Sequence, residues 1–403
     1  ASGESPVRCG VGARGEHPIG RRHSTNAVPY DAFDRCRRSS ITDIRGVNSR
    51  KTLGILVAAV ALLAACRKDE PTDNAADSGP VPYAVDVPSW LWDSTGHRVP
   101  FPADNQSTAA GVALGRRLFY EKALSDDNTL SCGSCHKQEN GFSDPRQFSI
   151  GTDGSVGTRQ AMSVMDLAWD QFFFWDGRAT SLEQQAFGPV TNMIEMRNTW
   201  PVVEQRLQAH AEYPALFETA FGSPGIDSVR VVKAIAQFER SLVSFNSRFD
   251  RFRYVGDSTA MDESEQRGMT LFMRGAHCVD CHRDPLMADH NLRNNGLDLV
   301  LTDLGGGVNG NPALNGRFKV PTLRNIEVTA PYMHDGRFNT LEEVVEFYAD
   351  DVQLDSPNLD NHMLPWIGGQ VDLSPEDRVD LVAFLRTLTD PQFLTNPALS
   401  DPN

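Results

Sequence analysis

The sequence predicts a mostly α-helical protein with long loops, because helical patterns recur along it while clear strand patterns are scarce. Apolar residues repeat at helical spacing in segments 112–119, 231–242 and 381–388. Landmarks in the first half of the chain return in the same order in the second half. We therefore expect two copies of one helical domain, joined by long loops.

Two helix starts can be located from local composition. Ser374 is followed by Pro375 and two acidic residues, which is typical of a cap and a first helical turn. Thr340–Glu343 matches a capping box, so a second helix is expected to begin there. After this box, positions i, i+3, i+4 and i+7 form one buried face, made of Leu341, Val344, Val345 and Tyr348.

Three landmarks occur twice and define the repeat. The pairs are Gly115–Phe119 with Gly268–Phe272, Cys132–His136 with Cys278–His282, and Asp176–Gln184 with Asp335–Glu343. Two halves with this common order predict an N-terminal domain over 103–255 and a C-terminal domain over 256–395.

The residues before 103 divide into three segments. Residues 1–46 are polar, basic and aperiodic, and we exclude them from the fold as a spurious or disordered leader. Residues 47–66 combine a basic start with a short apolar run and resemble a signal peptide with a lipobox-like end at Cys66. An ordinary cleaved signal or a single anchor is the alternative. Residues 67–102 are polar and predict a tether, which together with a lipidated Cys66 would place the protein in the periplasm.

Composition limits the classes of partner. The chain has 403 residues, of which 40% are hydrophobic and 23% charged, as in ordinary globular proteins. Its formal net charge of -15 argues against nucleic acid and anionic membranes and favours a basic protein partner.

The doubled Cys-x-x-Cys-His motif is the attachment sequence of c-type haem. Zinc would require four ligands at each site, and a redox cysteine pair would lie in an α/β pattern. Two motifs in an exported protein therefore predict two covalently bound haems c. The expected attachment residues are Cys132, Cys135, Cys278 and Cys281, with His136 and His282 as proximal iron ligands.

The repeat also predicts what lies on the opposite face of each haem. Tyr348 follows Asp335 at the same distance at which Pro189 follows Asp176. Tyrosine can bind haem iron, whereas proline offers no ligating atom, although a core tyrosine is the plainer interpretation. Gln185 and Glu195 flank Pro189, and a carboxylate beside an open iron could move the proton of bound peroxide. Trp175 lies in an aromatic run that suits either core packing or electron transfer.

Several motifs closely resemble those of the bacterial di-haem cytochrome c peroxidases and their relative MauG, over about residues 100–390. They are Leu130–His136, Trp175–Ala179, Gln185–Pro189, Glu195–Met196 and Ala330–Gly336. The resemblance implies two cytochrome c domains, each with one covalent haem, and a calcium ion between the haems. It further implies that His136 holds the peroxidatic haem, with Gln185, Pro189 and Glu195 in its distal pocket. By the same resemblance, Trp175 lies between the haems and His282 holds the electron-transfer haem.

Two departures from the peroxidases point to the MauG-like branch. The peroxidases usually carry a histidine before Gly-Thr-Arg, where this chain has Gly151–Gly154 and no histidine from 137 to 209. They also place methionine on the second haem, where this chain has Tyr348, as in MauG, with Met333 and Met363 as alternative ligands. The family's calcium ligands correspond to Gln160, Thr329 and Pro331.

These observations lead to three functional hypotheses. The first is a di-haem peroxidase that reduces hydrogen peroxide to water, with electrons from a small c-type cytochrome or cupredoxin passing through the second haem. The second is a MauG-like oxidase that uses peroxide to oxidise tryptophan or tyrosine of a partner protein. The third is a non-catalytic electron-transfer cytochrome, which would need both irons to be six-coordinate.

Overall fold

The computed structural model describes residues 80–364 and 372–403, and its regular structure is mostly helical, as predicted. The α-helices of these ranges are α1 Ser89–Asp93, α2 Ala109–Phe119, α3 Cys132–Cys135, α4 Leu182–Thr191, α5 Trp200–Ala209, α6 Tyr213–Phe221, α7 Ser228–Glu239, α8 Arg248–Asp250, α9 Glu263–Thr270, α10 Leu341–Glu346, α11 Pro375–Arg386 and α12 Pro391–Thr395. Strands β1 Leu292–Arg293 and β2 Phe318–Lys319 pair antiparallel, with Leu292 opposite Lys319.

Three helices continue into a π-helical turn, in which the backbone hydrogen bonds span one more residue than in an α-helix. These turns are Arg251–Val255 after α8, Leu271–Gly275 after α9, and Phe347–Asp351 after α10. Single π-turns inside helices are rare and often mark functional positions. The third of them contains Tyr348.

Both predicted helix starts are present. The Thr340 hydroxyl accepts a hydrogen bond from the amide of Glu343 and begins α10, and Ser374 caps α11 in the same way. The segment 231–242 is helical only as far as Glu239. The Ser241 hydroxyl donates to the carbonyl of Phe238 at 2.6 Å. This carbonyl thereby gains the hydrogen-bond donor that a backbone amide would have provided if the helix had continued.

The repeated glycine of the first landmark allows the same close helix packing in each half. A Cβ atom on Gly115 in α2 would overlap the carbonyl of Ala234 in α7. A Cβ atom on Gly268 in α9 would overlap the carbonyl of Asp380 in α11. The glycines therefore permit the α2–α7 and α9–α11 backbones to touch.

Two large apolar clusters form the interior. The first surrounds α2 and α4 to α7, and the second surrounds α9 to α11. Phe393 and Leu399, which come after α11 in the chain, pack into the first cluster. Residues at the end of the segment predicted as a tether also have buried positions: Val85, Val87 and Leu91 pack with Phe245 and Leu286.

In residues 80–364 and 372–403, no helix is both long enough and apolar enough to span a membrane. The predicted leader, signal sequence and Cys66 lie outside the residues that the structure describes.

Candidate functional site

The first Cys-x-x-Cys-His motif forms the short helix α3 and fixes the orientation of its histidine. The amide of His136 donates to the carbonyl of Cys132 at 2.9 Å. The ring Nδ1 of His136 lies 3.0 Å from the carbonyl oxygen of Phe142, so Nδ1 carries the proton. The Nε2 atom then carries a lone pair without a proton, which is the form of imidazole that binds a metal.

The second motif reproduces this geometry. The amide of His282 donates to the carbonyl of Cys278 at 2.9 Å, and its Nδ1 donates to Met287 at 3.2 Å. The two acceptor residues, Phe142 and Met287, share a left-handed backbone with φ of 57° and 53°. Burial lowers the pKa of both imidazoles, which favours the neutral, ligating form.

The four motif cysteines lie half-buried and form no disulfide bond with one another. Burial raises the pKa of Cys278 and Cys281 to about 12, as expected for thiols in an apolar site. Among the described residues, no three His, Cys, Asp or Glu side chains converge as a metal-binding group. The motifs therefore lack the ligand set that a zinc site would require.

The residues predicted for the distal pocket of the first motif come together. Gln185 and Pro189 lie on α4, and Glu195 follows in the turn after it. Burial is the main cause of the raised pKa of Cys132 and of Cys135. The amide of Met196 donates to the carbonyl of Pro189 at 3.3 Å, which holds the Glu195 turn against the end of α4.

Glu195 has few polar partners. Its carboxylate accepts a hydrogen bond from the side-chain amide of Asn192. Burial raises the pKa of the Glu195 carboxyl, while the Arg178 guanidinium and Asn192 act in the opposite direction. A carboxyl group with a raised pKa exchanges protons at higher pH than an exposed one. The Oε1 atom of Gln185 is also buried, and none of the described residues is its hydrogen-bond partner.

Trp175 lies at the junction between the two halves. Its indole Nε1 donates to the carbonyl of Gln160 at 2.8 Å, and its own carbonyl accepts from the amide of Lys319 at 2.8 Å. The rings of Trp175 and His334 are in a T-shaped arrangement, with 6.5 Å between their centroids. Trp175, Gln160 and His334 line one cavity that extends to Cys278, Cys281 and His282.

The same cavity contains the predicted ligand of the second site. Tyr348 and both alternative ligands, Met333 and Met363, line it. The Tyr348 hydroxyl accepts a hydrogen bond from Asn295 Nδ2 at 3.1 Å, and that Nδ2 lies 3.6 Å from the sulfur of Met333. Burial, together with the Cys281 and Cys278 thiols, raises the pKa of Tyr348 to about 12, and Asn295 lowers it.

The three residues predicted for calcium also line this cavity, namely Gln160, Thr329 and Pro331. Gln160 is 5% exposed, and its Nε2 donates to the carbonyl of Asp144 at 3.2 Å.

Two residues of the cavity received no role in the sequence analysis. His334 lies in the motif Ala330–Gly336, is 6% exposed, and stacks on Phe318 with 3.8 Å between the ring centroids. Its position within the Ala330–Gly336 motif was the signal in the sequence that could have identified it. Asn295 gave no signal, because its contact with Tyr348 joins positions 53 residues apart in the chain.

Comparison with known proteins identifies the chain's relatives. Residues 109–259 match the family described as di-haem cytochrome c peroxidase. The chain is 38% identical to the methylamine utilization protein MauG of Methylorubrum extorquens, over 75% of this chain and 84% of that protein. It is 35% identical to the cytochrome c551 peroxidase of Nitrosomonas europaea, over 73% of this chain and 84% of that protein.

A solved structure agrees with these matches. A MauG-like protein associated with microbial copper homeostasis superimposes with a TM-score of 0.72 at 33% identity, covering 79% of this chain and 99% of that one. The family implies two haem c cofactors and oxidoreductase activity on peroxide. The chain therefore belongs to the di-haem cytochrome c peroxidase and MauG family.

Proposed function

We propose that this protein is a periplasmic enzyme that reduces hydrogen peroxide at a haem held by His136, with electrons delivered through a second haem held by His282. The observation that carries the proposal is a difference between the two sites. Glu195 follows Pro189, which cannot bind iron, in the half that carries the first motif, whereas Tyr348 lines the cavity of the second motif. The first site would then admit a small oxidant, and Tyr348 would supply an iron ligand at the second.

The residues present fit two haems. Each motif histidine is oriented by a backbone carbonyl so that Nε2 is free for iron. At the second motif, the cysteines and histidine open onto a cavity with apolar walls. At the first, the buried Gln185 Oε1 has no partner among the described residues, which is consistent with a group that occupies the pocket when haem is bound.

The first haem, when bound, supplies an iron that takes up peroxide and exchanges electrons with it. Glu195 would accept a proton from one oxygen of peroxide and return it to the other, which leaves as water. The overall reaction consumes one peroxide, two protons and two electrons and yields two waters. Asn192 holds the Glu195 carboxylate in one orientation.

Trp175 and the second site supply the electrons. The Trp175 indole is held between the halves by hydrogen bonds at its ring nitrogen and its carbonyl, so its distance to each site is fixed. The formal net charge of -15 favours a basic electron donor, such as a small c-type cytochrome, or a cupredoxin with a basic face. Gln160, Thr329 and Pro331 would hold a calcium ion between the sites.

A MauG-like oxidase is the second candidate, and two observations favour it. Tyr348 lines the cavity with Cys278 and Cys281 and could bind iron through its oxygen, and Gly151–Gly154 contains no histidine that could close the first iron. In this case the oxidising equivalents would pass to tryptophan or tyrosine of a partner protein. A non-catalytic electron-transfer cytochrome would need a sixth ligand on the first iron, which Pro189 does not provide.

Electron paramagnetic resonance of the as-isolated ferric protein, followed by one equivalent of peroxide, tests the proposal. One high-spin and one low-spin haem, with reaction before any reduction, would support an open first site. A long-lived doubly oxidised state would select the MauG-like reaction, and rapid return on addition of a reduced donor would select the peroxidase. Two low-spin haems that are inert to peroxide would contradict both.

The location can be tested separately. We propose that residues 47–66 direct export and that a lipidated Cys66 retains the protein at a membrane facing the periplasm. Cys66→Ser would then release the protein from the membrane fraction while leaving its haem content unchanged.

A further inference from the structure

A small β-hairpin, residues 149–157, connects the first motif with the Glu195 turn. Ile150 pairs with Val156, and the amide of Gly157 donates to the carbonyl of Ser149 at 2.9 Å. The Ser149 hydroxyl, at the base of the hairpin, donates to the Asp144 carboxylate at 2.8 Å, and Asp144 is fully buried. Arg146, which also binds this carboxylate, lies 3.9 Å from the sulfur of Cys135, so the base of the hairpin is held near the motif.

The tip of the hairpin rests on the backbone of the residue that we assign to proton transfer. The amide of Thr152 donates to the carbonyl of Glu195 at 3.0 Å. A Cβ atom on Gly151 would lie 2.8 Å from the carbonyl carbon of Ile194, closer still to its oxygen, and 3.1 Å from the carbonyl oxygen of Glu195. The two backbones can meet here because residue 151 has no side chain.

An ion pair closes the contact from the side. Arg197 Nη1 lies 2.9 Å from Asp153 Oδ2, with both side chains partly exposed. Such a pair contributes little by itself, so the backbone contact is the main constraint.

We propose that Gly151 and the Thr152 amide form a positioning clamp for Glu195, which rests on the proposed function in that Glu195 is the proton-transfer group. The clamp holds the Glu195 main chain from the hairpin side. Asn192 holds its carboxylate from the α4 side. With both ends of the residue fixed, the carboxylate stays in one position while protons move through it.

The clamp also restricts the hairpin to one docked position. Its tip carries no histidine, and the Thr152 amide is already bonded to the Glu195 carbonyl. The clamp therefore predicts that the hairpin stays on the Glu195 turn whether the protein is oxidised or reduced.

Two glycines of the hairpin provide a matched pair of variants. Neither has a left-handed backbone, so alanine is acceptable to the chain at both positions. At Gly157, the nearest atom to an added Cβ is 3.6 Å away, which is ordinary contact. Gly151→Ala pushes the hairpin off Ile194, whereas Gly157→Ala leaves it in place.

The readouts are fluoride affinity of the ferric haem protein, the pH profile of its reaction with peroxide, and deuterium exchange of segment 149–157. Fluoride bound to ferric haem is stabilised by a neighbouring proton donor. For Gly151→Ala we expect fluoride affinity to fall about tenfold, the acid limb of the pH profile to move, and the hairpin amides to exchange faster. Gly157→Ala should match the wild type in all three.

The results test the clamp and the proton-transfer role of Glu195 separately. If Gly151→Ala keeps the wild-type fluoride affinity and pH profile while Glu195→Leu, which has no donor, loses both, the clamp is wrong and the role of Glu195 stands. If Glu195→Leu itself behaves as wild type, the proposed function is wrong. Should Gly151→Ala fail to fold, exchange in the wild-type protein decides: fast exchange of the Thr152 amide after reduction would refute a permanently docked hairpin.

Discussion

The Nδ1 atom of His136 donates to the carbonyl of Phe142 at 3.0 Å, which leaves the other ring nitrogen free to bind iron. His282 is held by Met287 in the same way in the second half. The two proposed proximal ligands are thus oriented alike, and the halves differ in the residues proposed for the opposite side of each haem.

Removal of either cysteine pair should remove one haem and leave the other. Cys132→Ala with Cys135→Ala should eliminate the high-spin signal and the reaction with peroxide, because the open site is lost. Cys278→Ala with Cys281→Ala should retain the high-spin signal but lose reduction by external donors. Haem content per chain, with electron paramagnetic resonance, measures both, and equal loss of both haems in either variant would contradict independent attachment.

Glu195→Gln should slow the reaction with peroxide by roughly 10²- to 10⁴-fold, because the amide cannot carry a proton. Burial raises the pKa of Glu195, and the ionised form is the acceptor. The wild-type rate should therefore rise with pH through a midpoint above that of an exposed glutamate, and the variant should show no such rise. Stopped-flow rates between pH 4 and 8 measure this, with Glu218→Gln as control, because Glu218 is exposed on the outer side of α6. A pH-dependent rate in Glu195→Gln would count against the assignment.

Tyr348→Phe should change the low-spin signal of the second haem and leave the high-spin signal intact. Tyr348→Met should restore a low-spin haem at a higher reduction potential, because thioether ligation stabilises ferrous iron relative to phenolate. Tyr332→Phe is the matched control, since Tyr332 lines the same cavity but donates its hydroxyl to the Ile326 carbonyl. Spectroelectrochemistry distinguishes the three, and an unaltered spectrum in Tyr348→Phe would transfer the ligand role to Met333 or Met363.

Asp166→Asn should increase the free energy of unfolding relative to the wild type, and this gain should grow as pH rises. Burial raises the pKa of Asp166 to about 7, so the folded state resists its ionisation. The stability that depends on the neutral acid is complete below the ordinary aspartate pKa and is lost as pH rises toward 7. The variant should equal the wild type near pH 4 and exceed it near pH 8, by at most about 4 kcal/mol.

The second half of the chain already has asparagine at the position that matches Asp166, so the substitution is conservative. Asn325 lies ten residues before Asp335, as Asp166 lies before Asp176, and both have a left-handed backbone, with φ of 55° and 57°. Chemical denaturation at several pH values gives the free energies of unfolding, and exposed Asp93→Asn should show no pH-dependent gain. A constant difference between Asp166→Asn and the wild type would refute the mechanism.

The sequence predicted those features that are encoded locally. The caps at Thr340 and Ser374 and the helix through Leu118 follow from residues within one or two turns, and all are present. The repeat then located Tyr348 relative to Pro189, because both halves share one spacing. Local composition could not predict that the hairpin tip touches Glu195 or that Asn295 binds Tyr348, since these contacts join distant segments through tertiary packing.

The C-terminal segment has a consequence for the assembly of the protein. Phe393 packs against Phe142, with 5.5 Å between the ring centroids, and Gln138 donates to the carbonyls of Phe393 and Asn396. The surroundings of His136 are therefore incomplete until residues 393–396 are in place. The half that comes first in the sequence thus cannot close before a segment beyond α11 has been delivered.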